Sequence, residues 1–429
     1  MRRPIEEVLQ SPEGTEVEVW GWVRNVRRHG KLIFLDLRDA SGIVQVAVKG
    51  GVAEDSALRV AESLRRESSV KVTGTVKLDE RAPSGVEIRC KRIEVISLAE
   101  EDYPIRPKIG PKKLYDYRHL HLRSPKIASL MRIRSNLLEA FREFFRSRGF
   151  VEINCPSIIT AAVEGGSTLF EVNYFGKKAY LTQSVQFYQE AAIFGLERVY
   201  SIQPSFRAEK SRTTRHLSEF WHIEAEISFA DLNALMDVVE EMVNYVVNRT
   251  AETSYREIKS LNRSVRTEEV ERPFPRIKYA EALEILERRG VRTYWGIDLG
   301  ADEERVISTE FERPVFVTHF PKEVKAFYHK VDEEDPRVTL SADLLAPRGN
   351  GEIVGGGVRI DRYDQLIERI YQFGLDPKDY SWYLDLRRYG SVPHAGFGIG
   401  VERVLKWILD LPHVRTACLF PRTPTRVTP

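Results

Sequence analysis

The segment FRAEKSRTTRHLSEFWHIEAE, residues 206–226, sets Arg207, Arg212, Arg215 and Lys210 among Glu209, Glu219, Glu224 and Glu226, with His216, His222, Phe220 and Trp221 between them. Guanidinium groups suit a polyphosphate because their charge is permanent and their donors form a fixed fork. An aromatic ring beside them suits a planar base. Read as a strand, a loop and an antiparallel return strand, the segment sends alternate side chains to opposite faces. Arg207 and Glu209 then share one face of the first strand; Phe220, His222, Glu224 and Glu226 share one face of the second. A salt-bridged hairpin in water would have the same composition, so this stretch alone does not decide.

Other stretches carry similar potential. Asp343 in TLSADLLA and Glu352 in EIVGGGVRI are carboxylates that could hold a divalent cation against phosphate oxygens. Arg359 follows a glycine run that lets backbone approach a ligand closely. Gly400 and Arg403 lie in GFGIGVERVLKWI, Glu164 in an EGGST loop, and Ser184, Gln186 and Gln189 in YLTQSVQFYQEA. No G-x-G-x-x-G or Walker A loop is present, so any nucleotide site must be of another kind.

These residues need a scaffold. The chain has 429 residues, suited to two domains, and its 42% hydrophobic and 30% charged content is that of a globular protein. No run of about 18 apolar residues is long enough to span a membrane, and the N-terminal stretch lacks a signal-like apolar core. Cys90, Cys155 and Cys418 are scattered and odd in number, which fits a reducing cytoplasm better than a disulfide framework. Net charge is only +2, but twelve Lys/Arg face three Asp/Glu between Tyr103 and Arg148, and RNVRRHGK (24–31) is a second basic cluster. Two such clusters beside one small β-domain point to a polyphosphate partner such as a nucleic acid.

Residues 17–26, 32–39, 43–48, 70–78 and 86–96 are rich in β-branched and aromatic residues and read as five strands. A helical pattern follows the third, with Asp55 as its expected N-cap. This is the layout of an OB-fold β-barrel, a common single-strand nucleic-acid binder, over residues 1–99. Four prolines among basic and aromatic residues mark 100–125 as a hinge. Beyond it, Ile127, Leu130, Met131, Leu137, Leu138, Phe141, Phe144 and Phe145 form a helical stripe closed by Gly149. A second helix is expected over 231–249, capped by Asp231, and a third over 401–411. With short β-like runs between them, residues 126–429 read as an α+β domain with a mostly antiparallel sheet.

Three patterns now occur in order: GFVEINCPS after the long helix, FRAE…RHLSEFWHIEAE, and GFGIGVERVLKWI. Together they resemble motifs 1, 2 and 3 of the class II aminoacyl-tRNA synthetases, and the N-terminal barrel narrows the likeness to the class IIb group that charges aspartate, asparagine or lysine. The resemblance covers essentially the whole chain. VEGGSTLF, YLTQSVQFYQEA, YGSVPHAGFG and LFPRTPTRVTP resemble the archaeal type of asparaginyl enzymes; aspartyl enzymes, including those that charge both tRNAs, are the alternative.

The resemblance implies ATP, Mg2+, an amino acid and tRNA as ligands, and a homodimer. It implies that Arg207 binds the α-phosphate and the amino-acid carboxylate, that Glu209 accepts from the adenine amino group, and that Arg215 and His216 hold the γ-phosphate. Phe220 would stack under adenine and Arg403 cover its other face, with Leu217 and Gly400 also in the ATP site. Asp343 and Glu352 would hold the metal, Glu352 contacting ATP as well. The family's usual serine three positions after that glutamate is replaced here by Gly355, which removes a side-chain ligand, leaves only backbone to serve and would also line the amino-acid pocket. Glu164 would meet the substrate ammonium, Ser184, Gln186 and Gln189 would line the pocket, and Arg359 would grip the side-chain oxygen. Glu224, four residues past Phe220, lies roughly 13 Å further along one face, a fitting separation between adenine and an amino acid. On the barrel, Phe34 would stack on the middle anticodon base and Gln45 bond a base edge. Phe34 alternates with Ile33, Leu35 and Leu37, which leaves it on the exposed face.

Aspartyl enzymes resemble QSPQLYKQ where this chain has QSVQFYQE, so their lysine corresponds to Gln189. An asparagine pocket needs a donor for the amide oxygen and an acceptor for its NH2. Arg359 suits the first role and Glu224, expected to face Arg359 and Gln189, the second; Glu224 would also repel a substrate carboxylate.

Overall fold

The computed structural model describes residues 2–30, 32–160, 169–210 and 213–429. The chain divides between Tyr117 and Arg118 into two compact units. The first unit carries strands β1 (Glu16–His29), β2 (Leu32–Arg38), β3 (Ile43–Lys49), β4 (Ser69–Leu78) and β5 (Val86–Ser97), with a helix at Asp55–Ser63. Alternation drives burial: Val17, Val19 and Val23, Ile33, Leu35 and Leu37, and Val44, Val46 and Val48 all point into one core. Asp55 is the first helical residue rather than the cap; Glu54 stands before it and makes no side-chain cap bond.

The five strands of this unit close into the expected barrel. The strands join in the order β1-β2-β3-β5-β4 and back to β1, but not as a uniform antiparallel ladder. β1 pairs with β4 over Glu16–Trp22 and with β2 over Trp22–His29, so it changes partner half-way. The β3–β5 seam is parallel and joins only Gln45–Ala47 to Glu87–Arg89. Gly21 stands at the partner change, where a Cβ would lie 2.5 Å from the Arg38 carbonyl oxygen.

The second unit is built on β6 (Val151–Glu152), β7 (Ile158–Ile159), β8 (Glu171–Tyr174), β9 (Lys177–Leu181), β10 (Arg198–Phe206), β11 (Glu219–Ser228), β12 (Arg276–Lys278), β13 (Val315–Thr318), β14 (Ser341–Ala346), β15 (Gly351–Val358) and β16 (His394–Gly400). Eight of these form one sheet in the order β12-β13-β14-β15-β16-β11-β10-β6, and β7-β9-β8 form a smaller one. The sheet is mostly antiparallel, as expected. The inner pairings are antiparallel, but β6–β10 and β12–β13 are parallel. Both outer strands are reached through long crossovers that include helices, which is what parallel pairing requires.

One face of the sheet rests on the Pro125–Ser147 and Leu232–Thr253 helices. In the first, Ile133 and Ala140 are buried with the expected stripe, whereas Met131 and Leu138 are only partly covered. Asp231 caps the second by accepting from the Ala234 N–H at 2.8 Å. The Val401–Ile408 helix is tied to both partners through one side chain. Glu402 pairs with Arg134 of the long helix at 2.8 Å and accepts from the Trp221 N–H of β11 at 3.1 Å.

Candidate active site

The other face of the sheet is a cavity floor made mostly of glycine. Gly355 and Gly357 of β15 lie opposite Gly398 and Gly396 of β16, which lie opposite Glu224 and Glu226 of β11. Directly paired residues point to one face, so the glutamates, with His222, stand on the glycine side. Without Cβ atoms on β16, their side chains lie down across it. A Cβ at Gly396 would fall 2.0 Å from a Glu226 carboxylate oxygen, and one at Gly398 would fall 2.4 Å from His222 Nε2.

At one end of the cavity Phe220, Leu217, Gly400, Arg403, Arg215 and His216 form a cleft. The Arg207 guanidinium carbon lies 5.5 Å from the Phe220 ring centroid. Arg403 donates to the Glu352 carboxylate at 3.0 Å, and Arg403 and Arg215 both donate to its main-chain oxygen. Burial, with Arg403 next, pushes His216 down to about 4, so its imidazole is uncharged at neutral pH. Strand β10 ends at Phe206, so Arg207 and Glu209 lie past it and the alternation argument does not extend to them; both nevertheless line the cavity.

Between the ends sits a cluster of acids. Asp343 and Glu352 converge on Gly355: a Cβ there would lie 3.5 Å from Asp343 Oδ1 and 3.2 Å from Glu352 Oε1. Burial opposes ionisation of Glu352, but Arg403, Arg215 and Lys325 outweigh it and hold its carboxyl at about 2. Burial and the Glu352 charge raise Asp343 to about 6, against the pull of Lys325, whose ammonium lies 2.5 Å away. Glu304 pairs with Arg215 at 2.6 Å and is pushed up to about 7, again by burial and Glu352. Among the described residues no three His, Cys, Asp or Glu side chains could hold a metal by themselves. Two carboxylates completed by phosphate oxygens are a donor set that suits magnesium.

The far end is walled by the Gln186–Leu196 helix, β11 and Arg359. Arg359 does not face Glu224 as expected. Its Nη2 and Nε donate to Glu226 at 2.6 and 3.1 Å, with Arg359 and Glu226 only 3% and 1% exposed. Glu224 accepts instead from the Ser184 hydroxyl and, at 3.0 Å, from the Val185 N–H. Gln189 donates to the Ser201 hydroxyl and to the Glu224 main-chain oxygen, so its NH2 braces β11 while Glu224 keeps its place on the cavity wall. Gln186 donates to Glu190, which also accepts from Arg387, Tyr383 and His394 in a fully buried network. Burial opposes ionisation of Glu190, yet Arg387 and His394 hold its carboxyl well below the usual range. Glu164 lies outside the described residues.

In the first unit a separate groove is lined by Phe34, Gln45, Arg27, Lys77 and Glu87. Phe34 is half-buried, as alternation requires. Arg27 donates to Gln45 Oε1 at 2.8 Å, and Gln45 Nε2 donates to Glu87 at 3.0 Å, a chain of polar edges beside one ring.

Residues 111–424 match the family described as tRNA synthetases class II (D, K and N), and residues 17–96 match an OB-fold nucleic acid binding domain. The chain is 54% identical to the asparagine–tRNA ligase of Thermococcus gammatolerans over 99% of its own length and 98% of that protein's. It superposes with a TM-score of 0.93 on the asparaginyl-tRNA synthetase of Pyrococcus horikoshii complexed with asparaginyl-adenylate, at 52% identity over 97% of each chain. The chain belongs to the asparaginyl-tRNA synthetases. An aspartyl-tRNA synthetase from Entamoeba histolytica shares the fold at a TM-score of 0.86 but only 28% identity, over 100% of this chain and 93% of that one.

In this asparaginyl-tRNA synthetase Arg207, Glu209, Arg215, His216, Glu224 and Arg403 line one cavity. Missed were Glu226 as the partner of Arg359, and Asp298, Glu304, Lys325 and His329, which line the cavity from residues 254–330. Glu226 had a signal, since it shares a strand face with Glu224. The others belong to no motif and reach the cavity only through the fold.

Proposed function

We propose that this chain joins asparagine to its tRNA in two steps. A carboxylate oxygen of asparagine attacks the α-phosphorus of ATP, the bond to the bridging oxygen breaks, and pyrophosphate leaves. A hydroxyl of the terminal ribose of tRNA then attacks the acyl carbon, and AMP leaves. Arg207 holds the α-phosphate and the carboxylate together, so the gain is in positioning and in charge stabilisation as the phosphorus becomes five-coordinate. Phe220 and Arg403 enclose adenine, Glu209 accepts from its amino group, and Arg215 and His216 hold the terminal phosphate. Asp343 and Glu352 would hold magnesium together with phosphate oxygens, a cation that offsets the charge of ATP. Gly355, beside both carboxylates, supplies no side-chain ligand.

The observation that carries asparagine over aspartate is the charge balance of the far end. Arg359 is neutralised by Glu226, and Glu224 presents a second carboxylate on the cavity wall beside His222. An amide brings a donor for Glu224; a carboxylate brings repulsion in a desolvated site. Ser184 and Gln186 fix that wall, and Glu164 meets the substrate ammonium. ATP–pyrophosphate exchange tests the reading: asparagine drives it and aspartate does not, whereas equal exchange with both would overturn the assignment.

The first unit binds the anticodon, with Phe34 stacking on a base and Gln45 bonding its edge. A homodimer follows from the family resemblance of the Pro125–Ser147 helix. Cytoplasmic residence is supported by the three free cysteines and by the absence, among the described residues, of any helix long and apolar enough to cross a membrane.

A further inference from the structure

One buried polar side chain at the amino-acid end has no partner. His329 is 6% exposed and lines the cavity, yet among the described residues its ring makes no hydrogen bond. Its Nδ1 edge is sealed against β15, where a Gly357 Cβ would lie 2.5 Å away. Its main chain forms a bridge with Arg359, so the two side chains start from adjacent positions. Arg359 spends Nε and Nη2 on Glu226 and has Nη1 left over.

Burial, with the Arg359 charge next, holds the His329 imidazole well below its ordinary value, so it is uncharged at neutral pH. An uncharged imidazole carries one proton. Placed on Nδ1, that proton would be a buried donor with nothing to accept it, a desolvation cost without compensation. The proton therefore belongs on Nε2, the ring's other polar atom.

We propose that His329 is a specificity-determining residue of the amino-acid pocket, its Nε2–H donating to the side-chain carbonyl oxygen of asparagine beside Arg359 Nη1. The inference deepens the asparagine reading and rests on it. An amide oxygen needs donors, and His329 supplies one without adding positive charge. A cation at this place would welcome aspartate; the imidazole does not.

The test is ATP–pyrophosphate exchange by the full-length protein with each amino acid at saturating ATP. For His329→Leu the KM for asparagine rises about tenfold, one hydrogen bond's worth, with kcat and the KM for ATP little changed. His329→Gln, which keeps an uncharged donor, recovers most of the loss, and His329→Lys narrows the preference over aspartate about tenfold. An unchanged KM for asparagine in the leucine variant overturns the proposal. So does a parallel rise in the KM for ATP, or a glutamine variant no better than leucine. Should the leucine variant not fold, nitrogen NMR of histidine-labelled wild type decides. The His329 signal, assigned by its loss in His329→Gln, shows the Nε2-protonated form and moves on adding asparagine; a signal that stays put overturns the proposal. A wild type that does not activate asparagine sinks the functional reading itself, which separates the two failures.

Discussion

The two ends of the catalytic cavity are built on opposite electrostatic plans. At the amino-acid end the charges are matched within the protein: Arg359 lies on Glu226, and Arg387 and His394 lie on Glu190, all buried. At the phosphate end the charges are crowded and only partly matched. Arg215 and Arg403 meet at Glu352, Lys325 leans on Asp343, and Asp343 and Glu304 sit above their ordinary range, as burial also sets Glu226 at the other end. A pre-neutralised end can read a small uncharged difference such as amide against acid, because no large field swamps it. A strained end is suited to a ligand that brings four negative charges and a metal, since that ligand can relieve conflicts the empty site must tolerate.

The most severe way to break this contrast is to unpair the amino-acid end. Arg359→Ala leaves Glu226 buried without its partner, and urea unfolding should show a loss of about 3–5 kcal/mol. Arg359→Met with Glu226→Leu should regain most of that stability while asparagine activation stays lost. A single variant that costs under about 1 kcal/mol would mean the pair is not the keystone of that end.

Glu224→Gln tests discrimination rather than stability. With the like charge removed, aspartate should gain roughly 100-fold relative to asparagine in pyrophosphate exchange, about 2.7 kcal/mol. Unaltered selectivity would move the reader elsewhere.

A third comparison sets both ends against the separate barrel unit. Phe34→Leu should weaken tRNA charging by about 1–3 kcal/mol, the contribution of one stacked base, and leave pyrophosphate exchange at its wild-type rate. A change in exchange would contradict a role confined to the anticodon.

The smallest effect concerns the strained end. The carboxyl of Glu304 lies at about 7 in the folded protein against its ordinary 4.5, so the folded state keeps a proton that the unfolded chain releases. Its contribution to stability is therefore complete below pH 4.5 and is lost as pH rises through about 7. In Glu304→Gln that decline should flatten, a difference of roughly 2–4 °C in Tm between the pH extremes. Parallel Tm profiles for the two proteins would show that Glu304 carries no such proton.

Much of this was legible in the residues. Period-2 alternation gave the barrel strands and put Phe34 outside, and the three ordered motifs led to one cavity. The partner choice of Arg359 was not legible. Strand periodicity places Glu224 and Glu226 on one face, but which carboxylate reaches the guanidinium depends on the β11–β16 register and on Ser184 claiming Glu224 first. Which strand pairs run parallel, at both outer edges of the sheet and at the short seam of the barrel, was not legible because parallel pairing leaves no local mark in sequence. Lys325, Glu304 and His329 escaped for the same reason: each is an ordinary residue until a crossover brings it over the glycines.

Those glycines also fix how the enzyme could be remodelled. At Gly357, Gly396 and Gly398 a methyl group would land within 2.5 Å of a side chain the site uses, so each can change only together with the group above it. Gly355 meets nothing nearer than 3.2 Å. Of these four glycines it is the one where a single substitution meets the least resistance, and its neighbours are the Asp343 and Glu352 carboxylates. Divergence in this surface can therefore proceed stepwise beside those two carboxylates, while a change beside Glu226, His222 or His329 demands paired substitutions.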